Sequence, residues 1–97
     1  MRDDPGSEDP NTLLPGEATS TQSGSVEDAE LWLEVYRELL ALKARLLELI
    51  DEQRTKVNVQ GQSEIDHDTT LVRREADRLT RRLEFWLDEL LRRKEAR

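Results

Sequence analysis

LWLEVYRELLALKARLLELI, residues 31–50, is the long apolar-rich run that decides the fold. Trp32, Val35, Leu39, Leu42, Leu46 and Leu49 recur at spacings of 3, 4, 3, 4 and 3. That is the a/d repeat of a helix lying lengthwise against another helix, as in a coiled coil. One position along, Leu33, Tyr36, Leu40, Leu47 and Ile50 form a second stripe, broken by Lys43. A single neighbour covers little more than an a/d seam, and a broader stripe needs a fuller core. The first stripe is therefore expected to meet a helix of the same chain, and the second something further. Glu34, Arg37, Glu38, Arg45, Glu48 and Asp51 take the water-facing positions.

Working outward, Ser25 can cap the first turn, with Asp28 as a weaker form of the capping-box acid. Glu27, Asp28 and Glu30 suit the positive end of the helix dipole, and Arg54 and Lys56 the negative end. These signals predict a first helix over about residues 26–56. Val57-Asn58-Val59-Gln60-Gly61-Gln62 breaks the pattern and reads as a turn over 57–63, with Gly61 free to adopt positive φ. Ser63 and Asp66 repeat the Ser25/Asp28 arrangement and open a second helix, about residues 64–94. Ile65, Thr69, Val72, Ala76, Leu79, Leu83, Trp86 and Leu90 then follow at 4, 3, 4, 3, 4, 3 and 4, an unbroken seam.

A short turn between helices of similar length makes them antiparallel neighbours. Folding about Gln60 sets large residues of the first helix against Thr69, Val72 and Ala76 near the turn. The aromatic mass, Trp32, Tyr36 and Trp86, gathers at the open end. The expected fold is all-α: an antiparallel two-helix hairpin over residues 25–97 behind a disordered N-terminal tail, residues 1–24. That tail holds all three prolines, three of the four glycines and mostly acidic charge, and such a stretch cannot bury enough apolar area to offset its chain entropy. Leu13-Leu14 is its one apolar pair.

The hairpin alone leaves Leu33, Tyr36, Leu40, Leu47 and Ile50 partly wet. Phe85 falls outside the second-helix seam, near Leu87 and Leu91, and joins them as an expected interface residue. Burying a large apolar side chain is worth roughly 1.5–3 kcal/mol, so five offset much of the ~4–15 kcal/mol cost of association. A long exposed apolar strip marks an interaction surface. A second copy, completing a two-fold four-helix bundle, is the simplest cover, and a helical protein partner is the other.

Composition narrows the function. The 97 residues allow one small domain; 38% are charged, 4% aromatic, and the net charge is -7. The absence of cysteine removes disulfides and thiolate metal sites and suits a reducing, cytoplasmic setting. The acidic N-terminus lacks the apolar core of a secretory signal, and charged residues interrupt every candidate membrane span. No glycine cluster precedes a helix, and no serine sits in a glycine-rich elbow, so phosphate-loop and nucleophilic chemistry have no foothold. The sequence implies no cofactor and no small-molecule substrate.

Two patterns invite chemistry. Glu64 and His67 have the E-x-x-H spacing used in di-iron carboxylate bundles, but the likeness stops at those two residues. His67 falls opposite the seam, and Glu64 has a capping reason to be in a first turn. Arg74, Arg78 and Arg81 line up at 4 and 3 as an anion-reading strip. Acidic residues balance it along the same helix and the protein is net acidic, which disfavours nucleic acid. An acidic protein partner, or the chain's own acidic tail, is the more natural target. The functional expectation is a non-enzymatic helical interaction, adaptor or regulatory module; a di-iron bundle and an anionic-surface binder are the rivals.

Overall fold

The computed structural model describes residues 12–56 and 59–96, and they form three helices: α1 (Glu17–Ser23), α2 (Val26–Arg54) and α3 (Val59–Glu95). No strand occurs among the described residues. The two long helices pack against each other in an elongated body 57 Å long. No helix among the described residues is long and apolar enough to cross a membrane.

Ser25 caps α2 as its sequence position implies, its Oγ accepting from the Asp28 backbone N–H at 3.0 Å. The far end of α2 differs from expectation. α3 begins at Val59, so residues 59–63 belong to its first turns and Ser63 is not a cap. Val57 and Asn58 lie outside the described residues. A helical glycine costs only about 1 kcal/mol against alanine, and tertiary contacts outweigh that at Gly61. Gln62 Nε2 donates to the Arg54 carbonyl at 2.8 Å, and Arg54 reaches Asp66 and, at 3.2 Å, Thr69 Oγ1.

The α3 seam is as read: Leu79, Trp86 and Leu90 are buried, and Ile65, Thr69, Val72, Ala76 and Leu83 are half-buried. The α2 seam holds only at the open end. Trp32 is buried and Val35 and Leu39 half-buried, but Leu42, Leu46 and Leu49 are 64%, 40% and 44% exposed. Of the stripe expected to stay partly wet, Leu33 and Tyr36 are buried and Leu40, Leu47 and Ile50 half-buried. At the open end both stripes are covered, and nearer the turn the second is the less exposed of the two.

The other departure is at the N-terminus. Of the stretch read as disordered, residues 12–24 are ordered and include α1, with Leu14 packed on the core; residues 1–11 lie outside the described residues. Composition misleads here because specific polar contacts, and not apolar area, hold the segment. The core accordingly gathers at the open end: Val26, Ala29, Trp32, Leu33 and Tyr36 of α2 against Leu79, Trp86 and Leu90 of α3.

Leu79→Ala should cost about 2–5 kcal/mol, and Leu42→Ala no more than about 0.5 kcal/mol. Urea denaturation checks both, and comparable losses would mean that Leu42 faces α3.

Candidate interaction surface

Leu14-Pro15-Gly16-Glu17 builds the start of α1. Proline sets φ at the second position, and Gly16 takes the left-handed conformation at the third (φ 86°, ψ -14°), the geometry of a type II turn. The turn closes through Glu17 N–H to the Leu14 carbonyl at 3.0 Å, and Glu17 Oε1 accepts from Leu14 N–H at 2.9 Å. Gly16 lies against Trp32, where an added Cβ would sit 3.9 Å from the ring.

The turn delivers Glu17, fully buried, into a cradle of donors. Tyr36 Oη donates to Oε1 at 2.6 Å, while Oε2 accepts from Trp86 Nε1 at 2.6 Å and from Arg82 Nη2 and Nε at 2.6 and 3.1 Å. Burial pushes the Glu17 carboxyl up, but the hydrogen bonds from Tyr36, Leu14, Trp86 and Arg82 outweigh it and leave the group below its ordinary value. Burial and the bond to Glu17 push the Tyr36 phenol up, so it stays a donor. The indole nitrogen of Trp32, also buried, has no hydrogen-bond partner among the described residues.

Two further arginines of α3 hold the segment by its backbone. Arg93 donates to the carbonyls of Ser25 at 2.6 Å and of Ser20 and Thr21 at 3.2 Å. It thus satisfies carbonyls at the end of α1, which has no basic residue in its own last turn. Arg78, paired with Glu75, reaches the Thr12 carbonyl at 3.4 Å.

These contacts define a groove. On α3, Leu71, Glu75, Arg78, Arg82, Glu89 and Arg93 follow at 4, 3, 4, 7 and 4, one face of a helix. On α2, Leu39, Leu42, Leu46 and Leu49 continue the line of Trp32 and Val35. The stacking of Trp32 on Trp86, 6.4 Å between centroids, sets the register, which places Leu71 level with Leu46 to Leu49. Residues 12–24 fill the half of this groove at the open end. Among the described residues the turn-proximal half is uncovered, with Leu42, Leu46 and Leu49 and, 42% exposed, Leu71 along it.

The residues singled out in sequence distribute unevenly. Leu33 and Tyr36 are consumed inside the chain, and Tyr36 in the cradle itself. Leu40, Leu47 and Ile50 are half-buried between the helices; Leu47 and Ile50 line a shallow groove of about 260 Å³ with Ala44, Arg54, Thr69 and Arg73. Phe85 is half-buried, edge-on to Trp86 and covered by the Arg82 guanidinium 4.3 Å from its centroid. Leu87 and Leu91 are 45% and 54% exposed. Glu64 and His67 are exposed, and no group of three or more metal-ligating side chains comes together among the described residues. The Arg74/Arg78/Arg81 strip divides: Arg78 is half-buried on Glu75 and Thr12, while Arg74 and Arg81 lie at the surface. Sequence reading missed Glu17, Arg82 and Arg93. Pro15-Gly16 carried the available signal, since that pair marks a turn that aims the next residue.

The chain matches no protein-family model, no curated protein and no solved structure at a significant level. Function therefore rests on the geometry above.

Removing Arg82 leaves a carboxylate buried beside fewer donors, so Arg82→Ala should cost about 3–5 kcal/mol in thermal or urea unfolding. The acid response follows from the sign of the Glu17 shift. Its folded value lies below the ordinary 4.5, so its contribution to stability is complete above that pH and fades as pH falls through the folded value. An acid titration followed by tryptophan fluorescence should show wild type losing stability below about pH 4.5 more steeply than Glu17→Gln.

Proposed function

We propose that this protein is a non-enzymatic helical interaction module whose bare half-groove takes a second helical surface, from another copy or a helical partner. One observation carries the reading. Leu42, Leu46 and Leu49 keep coiled-coil spacing, yet they are exposed, with none of the described N-terminal residues over them. Glu38, Arg45 and Glu52 rim the strip, an apolar centre with a charged edge as helix-in-groove contacts require.

Magnitudes set the strength of such a contact. A half-exposed leucine gains about 1 kcal/mol on full burial. Four leucines from each of two copies yield roughly 8 kcal/mol, inside the ~4–15 kcal/mol association cost. Self-association through this surface alone is thus weak and reversible, and a helical partner carrying larger apolar side chains binds more tightly.

Leu42→Glu with Leu46→Glu tests the reading. Circular dichroism should remain that of wild type, because neither residue is buried. Sedimentation should show loss of self-association, and loss of any partner retained by the wild-type chain. Unchanged association in the double variant would dismiss this surface.

A further inference from the structure

We infer that the Tyr36–Arg82–Trp86 cradle is a receptor for a Leu-Pro-Gly-Glu segment that a second copy of this chain can supply, the two chains exchanging their N-terminal helices about Gly24.

The first ground is that the receptor does not depend on its ligand. Apart from the Leu14 N–H, every donor to the Glu17 carboxylate belongs to α2 or α3. Those donors are positioned by packing of the hairpin itself. Trp86 lies on Trp32, Arg82 covers Phe85, and Arg93, against the Trp86 ring 5.3 Å away, is tied to Glu89 at 3.0 Å. A vacated cradle leaves the Arg82 guanidinium, otherwise buried, without the carboxylate it pairs with. The fitting ligand is a carboxylate in the first turn of a short helix, preceded by a type II turn.

The second ground is the hinge. α1 and α2 are separated by two residues: Gly24, left-handed at φ 72°, and Ser25, extended at φ -77° and ψ 134°. Nothing lies within 4 Å of a Cβ built at Gly24, so its conformation is not imposed by crowding. If both residues turn helical, α1 and α2 merge into one helix from Glu17 to Arg54. At 1.5 Å per residue, Glu17 then stands about 12 Å beyond Ser25 and off its own cradle. Two chains in that form satisfy each other by the contacts each had made internally, which is why exchange about a short hinge is a low-cost route to a dimer. At low concentration the internal arrangement prevails, because tethering acts as a millimolar local concentration.

Gly24→Ala isolates the hinge. Alanine disfavours the left-handed conformation and favours helix, shifting each chain roughly 30- to 100-fold toward the merged form. The full-length Gly24→Ala protein should sediment as a dimer at concentrations where wild type is monomeric. The dimer should persist with Leu42→Glu and Leu46→Glu added, which separates exchange from docking in the bare half-groove. Adding Glu17→Ala disables the segment and adding Arg82→Gln disables the cradle, so each should abolish the dimer. Mixing those two variants should restore a one-to-one heterodimer, one intact segment meeting one intact cradle. Should Arg82→Gln lose its helical circular dichroism, Glu17→Ala alone decides, since it leaves α2 and α3 unaltered. A Gly24→Ala protein that stays monomeric to millimolar concentration, or a dimer indifferent to Glu17→Ala, overturns the inference.

Discussion

One buried carboxylate organises the open end of this molecule. Glu17 is surrounded by Tyr36, Trp86 and Arg82, and each of those side chains is itself locked into the hairpin core. A buried ion pair is a poor source of net stability, because desolvation consumes most of the Coulombic gain. Its consequence is selectivity. A carboxylate placed elsewhere on the segment would leave Arg82 unsatisfied, so one register of the N-terminal segment is strongly preferred. The remaining contacts of that segment fall in line behind it. Arg78 and Arg93 then grip peptide carbonyls, which any sequence would offer, while Glu17 alone specifies position.

The groove inherits its two characters from this arrangement. Where residues 12–24 lie, the α2 and α3 walls contribute donors and aromatic rings; beyond them, the same walls continue as leucines. An elongated hairpin of this size has too little interior to bury both α2 stripes along its whole length. At the open end three layers share the apolar load and the core closes. Near the turn only two helices are present, and Leu42, Leu46 and Leu49 are left facing outward. Among the described residues, the closed half and the half with exposed leucines differ by one thirteen-residue segment, residues 12–24.

Residue spacing determined that two long helices form and that α3 presents the Ile65-to-Leu90 line inward, since that line is the longest apolar repeat the helix carries. Ser25 as a cap and Arg54 as a terminal cation were likewise local chemistry, legible without a partner. Tertiary structure decided the rest. Which of the two α2 stripes is covered near the turn is decided by packing, because both have helical spacing and spacing alone does not rank them. Gly61 is helical because Gln62 and Arg54 bind across the turn, an interaction between residues eight apart. Glu17 sits among polar, proline- and glycine-rich neighbours whose composition resembles that of disordered chains. Apart from the Leu14 N–H, the donors to its carboxylate come from positions 36, 82 and 86, and only folding brings groups so distant in sequence within hydrogen-bonding reach.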